Sequence, residues 1–262
     1  MGGAPFQIAP RFVERVWGST DLSPWFGHVE ARTGEVWFDA GPILIKFLFT
    51  SEPLSVQVHP DDRYAREKEN SSGKTELWYV LRAGPGARIA LGFRNPVSRE
   101  EVRRAAERGD IEAMLGWHEP KAGDTFFTPA GTVHALGASL AVCEIQQNSD
   151  ITYRLYDYQR GRPLHLDKGL EVADLGAHPG LSKPEELDGG GTLLARCDYF
   201  VTERWQWKQP AICGGGWIII LSGRGSVEGE VFEPGQVWKI ASGSTVRPEK
   251  EVTLLRTYVP AT

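Results

Sequence analysis

The stretch from Gly123 to His134, GDTFFTPAGTVH, constrains this chain more than any other. Gly123 and Asp124 permit a tight turn into a strand. Thr125 to Thr128 is β-branched and aromatic, which suits that strand. Pro129 has no N–H to give and ends the pairing. Gly131 lets the backbone turn sharply before Val133 and His134 open the next strand. Such short strands and tight turns belong to a mainly β chain.

The spacing of Gly123, Pro129, Gly131 and His134 resembles the second motif of the cupins, small jelly-roll barrels that often hold a metal. The resemblance points His134 into a barrel and implies an earlier partner motif. Upstream, residues 53–60 read PLSVQVHP and residues 73–80 read GKTELWYV. Gln57 and His59 stand two apart on a strand and face the same side. Glu76 opens the strand-like run LWYVL. Two imidazoles and a carboxylate, from His59, His134 and Glu76, suit a catalytic zinc with an open position or a non-haem iron. Gln57 adds an amide oxygen, a less usual zinc ligand.

QVHPDD, GKTELWYVL, the stretch ending VHAL and EIQQNSDITYRLYDYQR together resemble the type I mannose-6-phosphate isomerase family, in its short bacterial form. The likeness runs from about Phe12 to Asp174 and continues more loosely to the C-terminus. It implies one Zn2+ per chain, held by Gln57, His59, Glu76 and His134, and an essential arginine at Arg154. It implies a cytoplasmic enzyme that interconverts mannose 6-phosphate and fructose 6-phosphate through an enediolate. Long family members carry a proline where this chain has Thr75, a tyrosine where it has Leu136, and an extra helical domain. These departures leave the four metal positions intact.

Composition bounds the remainder. A formal charge of −5, with no Lys/Arg run, argues against nucleic acid as a partner. A phosphorylated substrate therefore needs local positive charge rather than a global field. Three cysteines favour free thiols in a reducing cytosol. No signal peptide is expected, and ILIKFLF and WIIIL are too short to span a bilayer. The oligomeric state stays open between monomer and homodimer.

Along the chain, Ile43–Thr50 reads as a strong strand. Its Lys46 either snorkels outward or points inside, where it needs a carboxylate or a ligand anion; the family resemblance favours the interior. Ser55 shares the face of Gln57 and His59 and is a candidate substrate contact. Asp61–Asn70 and the segment from Ser98, with its Ser98–Glu101 capping box, read as helices. His118 reads as a loop residue outside the metal set. Glu144, in LAVCEIQQ, faces in or out according to register. Thr152, Arg154 and Tyr156 alternate on one face. An inward Arg154 calls for an anion, either substrate or one of Asp150 and Asp157.

Residues 1–165 form the metal-binding catalytic barrel in this reading, and 166–262 a second, metal-less one. Within the latter, Gly235 to Val246 copies the spacing of the first motif, with Ala241 for the proline and Val246 for the histidine. The fold expected is mainly β: two cupin barrels with short helical insertions and no large helical domain. Lys74 and Glu144 are candidate bases, Arg154 the group that stabilises charge, and Lys46 and Ser55 candidate substrate contacts. Three alternatives carry other chemistry: an isomerase of unphosphorylated sugars, an iron-dependent oxygenase, and a non-catalytic sugar-binding cupin.

Overall fold

The computed structural model describes residues 3–181 and 183–260. The outermost residues of the two expected halves, and Ser182 in the linker, lie outside that range. The described residues are mainly β, with three α-helices and no large helical domain.

Two pairs of sheets carry the fold. In the first, a six-stranded sheet runs in the order 11–21, 28–39, 43–50, 140–147, 76–83 and 125–128. It faces a five-stranded sheet ordered 153–156, 56–58, 134–136, 89–93 and 115–118. In the second, a seven-stranded sheet built mainly from residues 185–258 faces a four-stranded one. Phe6–Ile8, from the chain's beginning, pairs antiparallel with Val237–Lys239 and so extends the seven-stranded sheet.

Burial follows the period of two. In Ile43–Thr50 every residue is buried, because both faces of the six-stranded sheet are covered. Ile43, Ile45, Phe47 and Phe49 point outward into a cluster with Phe200, Trp217, Ile219 and Leu255 of the second sheet pair. Each such side chain contributes roughly 1.5–3 kcal/mol on burial, so the two halves meet through a core rather than a wet contact. Leu48, Trp78, Val80, Leu136 and Val142 fill the first interior. The second interior is packed with Ile218, Ile220, Phe232, Trp238, Val246 and Leu254. Val246, in the histidine's place, is one of these core residues.

Helices cover the outer face of the five-stranded sheet. Helix α1, Asp62–Glu69, is capped by Asp61, whose carboxylate accepts from Tyr64 N, and ends at Asn70 in the left-handed region. Helix α2, Arg99–Arg108, carries the expected capping box between Ser98 and Glu101. Helix α3, Leu166–Val172, lies in the connector between the two sheet pairs. Val102, Ala105, Ala106 and Leu170 pack on Val56, Val58, Val133 and Leu155.

Two expectations need correction. His118 ends the Leu115–His118 strand instead of lying in a loop, and its ring meets Phe126 edge-on. Tyr156 does not share the face of Arg154: a bulge between them puts Tyr156 opposite Val56, and it packs with the outer cluster.

Candidate active site

Strand register brings the predicted residues together. In antiparallel pairs, opposed residues share a face. Gln57 lies opposite His134 on one side and Arg154 on the other. The row His134–Gln57–Arg154 therefore crosses the five-stranded sheet on its inner face. Across the gap, Lys46 lies opposite Glu144, and Glu144 opposite Trp78. Glu76, two residues before Trp78, faces the same interior.

His59, Glu76 and His134 form the one cluster of potential metal ligands among the described residues, their ligand atoms all within 4.8 Å of one another. All three are buried. The backbone fixes both rings: His59 Nδ1 meets the Ile151 carbonyl and His134 Nδ1 the Thr132 carbonyl, each at 2.8 Å. A carbonyl only accepts, so each Nδ1 carries the proton and each Nε2 presents a lone pair. Glu76 Oε1 lies 3.5 Å from His59 Nε2 and 3.3 Å from His134 Nε2, with no hydrogen-bond donor. Two nitrogen lone pairs and a carboxylate oxygen thus converge in a buried space, an arrangement that a cation between them would satisfy.

The electrostatics agree. Burial lowers the His59 imidazole to about 4, helped by the Lys74 ammonium, and burial also lowers His134. Both rings stay neutral near pH 7, as metal ligands must. Burial would raise the Glu76 carboxyl, but the Lys74 ammonium beside it outweighs burial and holds the group well below the usual range. Lys74 Nζ sits 3.2 Å from His59 Nε2 and 3.1 Å from Glu76 Oε2. Burial works against its charge, yet Glu76 and Glu144 overcome it and raise the ammonium above its ordinary value.

Gln57 stands beside this cluster, its Nε2 3.2 Å from His134 Nε2 and its Oε1 accepting from Ser55 Oγ at 3.2 Å. A cavity of about 480 Å³ opens above it, lined by Ser55, Gln57, Lys46, Lys74, Glu144 and Arg154 among others. The five candidate catalytic and substrate residues Lys46, Ser55, Lys74, Glu144 and Arg154 therefore line one space. Lys46 points inside and meets Glu144 Oε1 at 3.2 Å, while Trp78 Nε1 donates to Glu144 Oε2 at 2.7 Å. Arg154 donates from Nε to the Pro163 carbonyl at 3.2 Å. Among the described residues its guanidinium forms no ion pair; Asp157 is engaged by Arg160 and Arg162 instead.

Sequence reasoning missed Glu35, Arg15 and Arg162, which line the same cavity. Glu35 is buried and accepts from Trp37 Nε1 at 2.9 Å and from Arg15 at 2.6 Å. The available signal was a glutamate and a tryptophan two apart in GEVWF, sharing one strand face.

The chain is 32% identical over 289 aligned residues to the probable mannose-6-phosphate isomerase GmuF of Bacillus subtilis strain 168, covering 92% of this chain and 91% of that protein. The chain belongs to the mannose-6-phosphate isomerase family. It is thus a member of an aldose–ketose isomerase family. The crystal structure of the mannose 6-phosphate isomerase from Bacillus subtilis superposes on this family member with a TM-score of 0.88 at 27% identity, covering 98% of this chain and all of that one. A zinc-bound holo mannose 6-phosphate isomerase shares the fold, with a TM-score of 0.79 at 15% identity over 97% of this chain and 99% of its own. No protein-family model matches the chain. No helix among the described residues is long and apolar enough to cross a membrane.

Proposed function

We propose that this isomerase interconverts mannose 6-phosphate and fructose 6-phosphate by moving a proton between C2 and C1 of the open-chain sugar, through an enediolate. The observation that carries this is the buried convergence of His59 Nε2, His134 Nε2 and Glu76 Oε1 beside a cavity walled by Lys74, Glu144 and Arg154. The donor set fits one Zn2+, with Gln57 joining through its amide oxygen once the amide is turned over. When bound there, such an ion would order the sugar oxygens and polarise the carbonyl.

The chain's own residues then divide the work. Glu144 takes the proton from C2 and returns it to C1, since its carboxyl group stands on the cavity wall, steadied by Lys46 and Trp78. Lys74 enters protonated, because its two carboxylate neighbours hold its charge; it gives a proton to the C1 oxygen as the enediolate forms and recovers one from the C2 hydroxyl as the ketone forms. Arg154 has a guanidinium free of carboxylates and faces the developing negative charge or the phosphate. Ser55 and Lys46 contact the substrate from the remaining walls. In this reading residues 11–165 form the catalytic barrel, and residues 185–258, joined by Phe6–Ile8 at the sheet edge, a metal-less cupin-like barrel that supports it from behind. The three free cysteines suit a reducing cytoplasm.

A coupled assay for fructose 6-phosphate formation tests this, run before and after chelation and again with zinc restored. Activity lost and regained supports the proposal. A folded, zinc-loaded protein that leaves mannose 6-phosphate unchanged overturns it.

A further inference from the structure

The motifs QVHPDD and EIQQNSD contain residues that touch neither the ligand cluster nor the cavity above it. Asp61 caps α1, but Asp62 does something else. Its Oδ1 accepts from Gly73 N at 2.8 Å and from Gln147 Nε2 at 3.0 Å. Gln147 Oε1 in turn accepts from Thr75 N at 2.9 Å, while Gln147 N donates to the Thr75 carbonyl at 3.1 Å. The two side chains therefore grip residues 73 and 75, on either side of Lys74 and immediately before Glu76. Gly73 lies so close to α1 that a Cβ there would come within 2.5 Å of Asp62 N, so only glycine admits this approach. Ser149 Oγ donates to the Ser72 carbonyl at 2.8 Å, and Gln146 Nε2 to the Gln147 and Ser149 carbonyls.

We infer that Asp62 and Gln147 are positioning residues that hold the 73–76 segment in register, so that Lys74 and Glu76 both face the ligand cluster. The inference rests on reading that cluster as a metal site. Glu76 begins its strand, and a strand end without such ties would fray. Groups one layer behind metal ligands typically change metal affinity or activity about 10- to 100-fold when removed. The grip also reaches the second half of the molecule: Asp62 and Gln147 line a separate cavity of about 470 Å³ whose far wall includes Asp198, Tyr199 and Val259. Support from behind the sheet thus arrives beside the Lys74–Glu76 segment.

The test compares wild type with Asp62→Ala, which removes the accepting oxygen, with Gln147→Met and with the double variant. Zinc dissociation constants are read by competition with a chromophoric chelator, and the visible spectrum of the Co2+ form is read alongside. Expected are a dissociation constant raised about 10-fold or more in each single variant, an altered cobalt spectrum, and a double variant little worse than either single. The kcat for mannose 6-phosphate falls while KM changes little. Unchanged zinc affinity and cobalt spectrum in the single variants, whatever their melting temperatures, overturn the inference. If Asp62→Ala fails to fold, Gln147→Met decides alone, since it removes only side-chain bonds. Metal affinity is measured without sugar, so a wild type inactive on mannose 6-phosphate overturns the proposed function and leaves this result standing.

Discussion

Lys46 and Glu144 stand opposite each other on neighbouring strands and meet at 3.2 Å between the six- and five-stranded sheets, their side chains 2% and 4% exposed. The pair settles two questions of orientation at once, because neither charge is tolerable in that interior without the other. Breaking a buried pair by removing one partner costs about 3–5 kcal/mol. Lys46→Met is therefore expected to lose that much stability in urea unfolding, with the slope unchanged. Lys46→Met combined with Glu144→Gln should recover most of it, since the amide that replaces the carboxylate still accepts from Trp78 and leaves no lone charge.

His134→Ala removes one of the two imidazoles and is expected to abolish both bound metal and most turnover. Elemental analysis of the purified variant beside the isomerase assay checks both. A demonstrably metal-free variant that retained full activity would refute the metal mechanism.

Arg154→Ala is expected to keep its metal and lose turnover, because the guanidinium lines the cavity and lies outside the ligand cluster. Measured metal content separates the alternatives: loss of metal in this variant would assign Arg154 a structural role.

Asp157 joins Arg160 and Arg162 beside the cavity. Burial would raise its carboxyl, but the two guanidinium partners, Arg162 foremost, prevail and hold it below its ordinary value. A lowered carboxyl contributes stability that is complete above the unfolded-state value, near 3.9, and is lost as pH falls through the lower native value. Asp157→Asn should therefore be less stable than wild type at neutral pH, and the gap should close as the pH of the unfolding series drops below about 4. A gap that persisted unchanged at low pH would exclude this linkage.

Gly131 has φ of +88°, and a Cβ there would lie 3.1 Å from the Val172 carbonyl oxygen. Its N–H also donates to the His59 carbonyl at 2.8 Å. Gly131→Ala is expected to cost about 1–2 kcal/mol from the left-handed backbone alone, read as a lower denaturation midpoint. Zinc affinity should weaken with it, since the same turn leads into His134.

The convergence of His59, Glu76 and His134, with Gln57 beside them, was legible because each sits in a local pattern: Gln57 and His59 at period two, Glu76 at a strand start, and His134 eleven residues after a turn glycine. Gly123 and Gly131 have positive φ, and so do Gly235 and Gly243 at the same separation, so the internal echo reflects shared backbone geometry. What the sequence withheld was pairing at a distance. Whether Glu144 faced in or out depended on its register against Ile43–Thr50, which no local pattern fixes. Tyr156 left its expected face through one bulge. Asp157 pairs with Arg160 and Arg162 rather than Arg154, and the Arg15–Glu35 pair spans two strands whose own pairing is irregular.

The strand Ile43–Thr50 has no solvent face, and two requirements alternate along it: Lys46 and Leu48 line the interior cavity, while Ile45 and Phe47 serve the union with the second half. Point replacement can therefore alter one set and spare the other, so substrate preference can drift in descendants without loosening the architecture. Insertion or deletion of a single residue would exchange the sets, thrusting phenylalanines into the cavity and a lysine into the apolar seam. Added or lost residues should therefore be tolerated better in turns such as 84–88 and the connector at 159–164 than within this strand.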